Sequence, residues 1–145
     1  MIKKLGLSPS DLGIDNVNLK AAANTIYATP VIDVRRFGQF YMQWIVTVTG
    51  AATVGVFAIE AVIFERDGIT ILRTETLATG LSSSVTGTIQ LVIRQGLAPL
   101  SAGLTIGALA DLVKIPEYMK IQIKITTASD AATSATADMW LLMAR

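Results

Sequence analysis

Eleven carboxylates carry most of the acid–base chemistry open to this sequence, because histidine and cysteine are both absent. Without histidine the commonest general base, metal ligand and pH switch are missing. Without cysteine, disulfides and thiolate metal sites are excluded. A Ser or Thr nucleophile would need Lys or a carboxylate as its base. The candidate pairs are Glu60 with Glu65 and Asp130 with Asp138. In an extended strand, Glu60 and Glu65 stand an odd number of residues apart and face opposite sides. They cannot form the facing carboxylates that glycoside hydrolysis requires. Asp130 and Asp138 are separated by a turn, so these acids read as solvated carboxylates and turn residues. Calcium needs only oxygen ligands, and Asp130 or the Asp11-Asp15-Asn16 group offers them without the spacing of a regular calcium loop. Gly103–Gly107 is not followed by Lys-Ser/Thr, so a phosphate loop is missing. The expectation is a non-enzyme with no catalytic residue, no cofactor and no metal.

Two features stand outside that reading. Glu60 is flanked by Ile59, Ala61, Val62 and Ile63, and a buried carboxylate is costly unless paired. It is either an active-site acid or, preferably, half of a salt bridge to Arg73 or Arg94 on an adjacent strand or across a subunit interface. Trp44, Trp140, Tyr41 and Tyr118 would stack on sugars if they shared an exposed face; aromatics on strands more often serve a core or an interface.

The elements that hold these residues read as β-strands. Residues 1–29 lack period-2 alternation and form an irregular arm with one helical turn near Asn18–Ala23; the arm must lie on its own domain or on a neighbour. From residue 30 to 145 the pattern changes. Val31–Phe37, Phe40–Thr49, Val54–Glu65, Ile69–Leu77, Val85–Gln95, Tyr118–Thr127 and Thr136–Ala144 read as strands. Asp67-Gly68 is a hairpin signal, Ala78–Ser84 a loop, and Gly96–Val113 a long connection or short helix. Seven or eight short strands with turns between them predict an all-β, antiparallel sandwich, jelly roll or small barrel. Tyr41-Met42 and Tyr118-Met119 each open an alternating strand that runs into Ala-Ala-Thr, at Ala51–Thr53 and Ala131–Thr133. Two related strand-hairpin units of this kind would sit in the two halves of a sandwich, each burying the other's face.

Composition points to partners. Apolar residues make up 52% of the 145 residues and charged ones 16%, against about a quarter charged in an ordinary domain. One domain of this size buries a core unaided, and the surplus apolar surface implies burial against other subunits. The net charge of +1, with scattered Lys and Arg, gives no stripe for nucleic acid. Ile45–Phe64 is long enough to span a membrane, but its Val, Ile and Thr content and the Thr49–Thr53 interruption favour two strands. The N-terminus lacks the apolar run of a secretory signal peptide. No nucleic acid and no membrane are expected as partners.

The arm, the Pro-Val-Ile-Asp-Val-Arg-Arg-Phe segment, the strand from Tyr41, and the closing Val113–Ile121 and Ala137–Leu142 stretches together resemble small β-sandwich virion proteins of tailed bacteriophages, particularly capsid decoration (cement) proteins. The resemblance covers residues 30–145 as a style of sequence. It implies a homo-oligomer, a trimer foremost, made in the host cytoplasm and seated on the major capsid protein at the virion surface. Ile2, Lys3, Lys4, Leu5 and Leu7 would form the lattice-binding arm, and Trp44, Phe57 and Trp140 the self-interface. Deleting residues 1–24 should then abolish lattice binding and leave the β domain folded. The rival reading is a glycan-binding module or tail-fibre-type adhesin on the same fold.

Overall fold

A computed structural model of the chain describes residues 4–94, 100–101 and 117–145. In chain order these form β1 (Lys4–Leu7), α1 (Pro9–Leu12), β2 (Val17–Asn18), β3 (Ile26–Ala28), β4 (Ile32–Asp33), β5 (Gln39–Thr49) and β6 (Val56–Phe64). Then come β7 (Ile71–Ser82), β8 (Gly87–Arg94), β9 (Leu100–Ser101), β10 (Tyr118–Thr127) and β11 (Ser134–Ala144). Sheet A runs β1–β11–β5–β8–β9, and β2 shares the column of β1 on β11. Sheet B runs β3–β10–β6–β7, and β4 shares the column of β3 on β10. Every pairing is antiparallel. With the split strands taken as single columns, the chain winds between the two sheets as a jelly roll. The predicted all-β sandwich is the fold observed.

Period-2 alternation places the core. Phe40, Met42, Trp44 and Val46 of β5, Phe57, Ile59, Ala61 and Ile63 of β6, Met119, Ile121, Ile123 and Ile125 of β10, and Ala135, Ala137, Met139, Leu141 and Met143 of β11 all point between the sheets and pack into one cluster. The two Tyr-Met strands occupy matching positions in opposite sheets, with β5 in sheet A and β10 in sheet B. Neither is half of a hairpin. β5 crosses to β6 in sheet B, and β10 crosses to β11 in sheet A, so each unit spans the sandwich. The two Ala-Ala-Thr crossings lie side by side: Ala132 N–H donates to Ala51 O at 2.9 Å and Thr133 N–H to Thr49 O at 3.1 Å. Gly55 makes this junction possible. Its φ is +151°, and a Cβ there would strike Ser83 Oγ and lie 3.0 Å from Ser129 Cα.

Residues 4–29, set apart as an arm by the sequence reading, are seated in both sheets. β1 pairs Leu7 with Leu141, β2 pairs Val17 with Ala137, and β3 pairs Tyr27 with Ile123. Leu12, Ile14 and Leu19 are among the most deeply buried side chains of the core. Deleting residues 1–24 would therefore open the core, so that deletion does not test lattice binding in isolation. The helical turn falls at Pro9–Leu12 and not at Asn18–Ala23, because Ser8 and Asp11 form a capping box with Pro9 in the first turn.

Two further strands differ markedly from the limits read in the sequence. The segment read as Val31–Phe37 pairs only at Ile32–Asp33, because Asp33 Oδ1 accepts from Arg35 N–H at 3.1 Å and Phe37 N–H returns to Val34 O. β7 runs on to Ser82 through the expected Ala78–Ser84 loop. It does so by register shifts against β6, which turn both Leu77 and Ala78 inward. The Asp67-Gly68 hairpin stands as expected, with Gly68 at φ 69° and Asp67 Oδ1 accepting from Ile69 and Thr70 N–H, each at 2.9 Å. Apart from Leu100–Ser101, the Gly96–Val113 connection lies outside the described residues.

Candidate functional site

The acids do not converge. Glu60 lies on the outward side of β6, directly opposite Gln122 of β10, and its Oε1 accepts from Gln122 Nε2 at 3.0 Å. The bond observed is to this amide, where the sequence suggested Arg73 or Arg94 on an adjacent strand or a partner across a subunit interface. Arg73 pairs with Glu75 at 3.0 Å, and Arg94 belongs to sheet A, away from the strand of Glu60. Glu65 has left the strand for the hairpin, where its N–H donates to Thr70 O.

Asp130 fastens the two crossings. It accepts from Thr53 N–H at 2.8 Å, Val54 N–H at 2.9 Å and the Thr53 hydroxyl. These bonds, the Thr53 hydroxyl first, hold its carboxyl down to about 2. Asp138 is engaged elsewhere, accepting from Asn16 N–H at 2.7 Å. Asp15 hydrogen-bonds to Asp138; that bond, then burial and the Asp138 charge, raises the Asp15 carboxyl above its ordinary value. Asp11 is held below its ordinary value by the Ser8 backbone and hydroxyl. The calcium candidates thus serve as loop and cap acceptors, and no group of three or more acidic side chains gathers among the described residues. Gly103–Gly107 lies outside the described residues.

The residues expected at interfaces divide sharply. Trp44 and Phe57 are each 0% exposed inside the chain's own core, so neither has surface to offer a second copy. Trp140 is 39% exposed on the outward side of β11. Ile2 and Lys3 lie outside the described residues. Lys4, Leu5 and Leu7 belong to β1, where Leu7 packs against the core and Leu5 is partly exposed.

Two exposed apolar features stand out, the first of them not singled out from sequence. One is the tip of the β6–β7 hairpin, where Ile69, Ile71 and Leu72 are all more than half exposed. The Asp67-Gly68 turn signal marked the place, and the apolar residues just after it were the available clue. The other lies on the outer face of sheet A. Tyr41 stands opposite Leu142 in register and Gln43 opposite Trp140. Tyr41, Trp140 and Leu142, with Gly6, Leu7, Ser8 and Leu141, line a groove of about 280 Å³, and Gln43 stands beside it. Of the four aromatics considered for stacking, this face brings Tyr41 and Trp140 together. Trp44 is inside, and Tyr118 is on sheet B with the Arg35 guanidinium 5.2 Å from its ring centre.

No family model matches the chain, and no curated protein matches it in sequence. Solved structures do share its fold. A chain of infectious bursal disease virus, Gx strain, superposes with a TM-score of 0.56 at 10% identity, covering 97% of this chain and 31% of that one. The VP2 subviral particle of the same virus gives 0.53 at 12% identity, covering 97% and 32%. The capsid of Ralstonia phage GP4 gives 0.46 at 13% identity, covering 97% and 81%. The chain therefore has a jelly roll of the kind found in virus particles and spans about a third of the first two chains it resembles.

Proposed function

We propose that this chain is a structural protein of a virus particle. Within that class it is a capsid decoration (cement) protein, a homo-oligomer, foremost a trimer, bound to the major capsid protein at the virion surface. It acts by binding and not by catalysis. The observation that supports this reading is the jelly-roll winding, shared over 97% of the chain with a virus-particle protein at a TM-score of 0.56. The exposed Ile69, Ile71 and Leu72 of the hairpin tip supply the protein-binding surface, since a cluster of this kind costs solubility unless a partner covers it. The tip carries the contact that the sequence assigned to the arm, most of which the fold uses internally. Each bound copy favours the assembled lattice by mass action.

The test is rebinding. Purified chain added to particles stripped of it should bind and raise the temperature at which they release their genome. Ile69→Ser with Leu72→Ser should bind poorly while unfolding normally in urea. Particles that ignore the wild-type chain would end the proposal.

A further inference from the structure

We infer that the outer face of sheet A is a binding site for a neutral saccharide, with Trp140 and Tyr41 as stacking rings and Gln43 and Gln90 as the hydroxyl-reading groups. The site is separate from the hairpin tip and does not depend on the lattice reading. Three observations place these groups together. Trp140, Gln43 and Gln90 form one row across β11, β5 and β8, directly opposite one another in register. Adjacent strands lie about 4.8 Å apart, so the row offers one ring and two amides at successive pyranose-sized steps. Tyr41 and Leu142 fill the next row on the same face, and the groove of about 280 Å³ opens between that row and Trp140.

Charge sets the class of ligand. β5 carries no charged residue at all, and β11 carries only Asp138, whose Oδ1 already accepts from Asn16 N–H. The row Trp140–Gln43–Gln90 and the next, Leu142–Tyr41–Val92, hold no charged residue for a phosphorylated or acidic ligand to meet; the basic residues Arg94 and Lys4 stand one row further on, in register with Gln39 and Ala144. An apolar protein surface fits less well than a sugar, because of the amides. Gln43 and Gln90 make no side-chain hydrogen bond to the described residues. A dry protein contact would bury both amides unsatisfied, which costs about 1–3 kcal/mol for each group. A saccharide meets both demands at once: its C–H face covers an aromatic ring and its hydroxyls donate to and accept from amides. A ring flanked by a few well-placed polar groups is the usual make-up of a small-ligand site.

The experiment titrates the full chain with a panel of neutral hexasaccharides (glucan, mannan, galactan and xylan) and follows tryptophan fluorescence and heat. The chain has two tryptophans, and Trp44 is fully buried, so a ligand-induced spectral change reports Trp140. At least one hexasaccharide should bind. Trp140→Ala and Gln43→Ala should each weaken it at least tenfold, Trp140→Phe should restore part of the affinity, and Lys124→Ala on sheet B should change nothing. Trp140 is partly exposed, so its variants should fold, and urea unfolding verifies this. Absence of binding by every member of the panel would overturn the inference. So would binding that Trp140→Ala and Gln43→Ala leave intact. Self-association lost in Trp140→Ala, with no saccharide bound, would reassign the face to a second copy of the chain.

Discussion

The two sheets turn equally apolar faces to each other and very different ones to solvent. On sheet B the outward apolar residues of the central strand β6 are covered, while Ile26 of β3 and Ile71 and Leu72 of β7 stay exposed at its margins. Val62, directly opposite Lys120, is 3% exposed, and the Lys120 ammonium lies 5.9 Å from the ring centre of Phe64, itself 7% exposed. Long charged stems laid over apolar surface keep their heads in water while hiding what lies beneath. On sheet A the outward Trp140 and Leu142 are each 39% exposed, and their row neighbours are Gln43 and Tyr41, not lysines. The middle of sheet B is finished as protein surface, and the middle of sheet A is left with uncovered rings and with amides that bond to none of the described residues. A chain with 16% charged residues has few stems to spend, and it lays Lys120 over the middle of sheet B.

That contrast breaks most visibly if the two tryptophans are exchanged in importance. Trp44→Ala should cost about 3–5 kcal/mol of stability, since it removes a fully buried ring from the core. Trp140→Ala should cost less than about 0.5 kcal/mol, as a surface change. Urea unfolding of both variants decides, and equal losses would mean that the outer face of sheet A is structural. Gly55→Ala comes next. It places a Cβ against Ser83 and Ser129 at a φ that L-residues rarely adopt, at a cost of about 1–3 kcal/mol, read by the same unfolding curve. Lys120→Ala should then cost only about 0.5–1 kcal/mol, and its larger effect should be on surface. By uncovering Val62 and Phe64, it should make sheet B bind a hydrophobic dye that the wild-type face excludes.

Much of the fold could be read where the chain alternates over ten residues or so. Tyr118–Thr127 has the predicted limits, and Met119, Ile121, Ile123 and Ile125 point inward as the pattern required. The arm was opaque because β1, β2 and β3 are two to four residues long. A period of two cannot show itself in so few positions, and only tertiary pairing to β10 and β11 makes them strands. The apolar surplus misled in part for the same reason. Leu12, Ile14, Val17 and Leu19 looked like spare grease on an arm and are core. For the site, Trp44 and Trp140 were equivalent in sequence because β11 is apolar on both sides; parity within each strand separates them, and only the partner strands reveal which parity faces in. Glu60 was rightly marked as needing a partner. Its partner was missed because cross-strand register, which sets Gln122 opposite it, is not a local property.

The smallest expected effect concerns the crossings that tie the two sheets together. The Asp130 carboxyl is lowered from 3.8 to about 2 by its bonds to Thr53 and Val54, and Asp33 is likewise held near 2, chiefly by the Arg35 guanidinium. A carboxyl that binds its proton less tightly when folded contributes stability above its unfolded pKa and loses it as the pH falls through the folded value. The melting temperature of the wild-type chain should therefore decline between about pH 4 and about pH 2. Asp15 runs the other way: its raised carboxyl favours the folded state at acid pH and gives that up as the pH rises, so it blunts the decline. Asp130→Asn keeps an acceptor for the loop N–H groups but removes the charge. It should melt below wild type at pH 5 and decline less on acidification, leaving the share due to Asp33. Because both carboxylates are exposed, water screens their partners and the effect should be modest. Melting curves that fall in parallel for Asp130→Asn and wild type would show that the crossings are held by their backbone bonds, Ala51 to Ala132 and Thr49 to Thr133, with the carboxylate along only as a passenger.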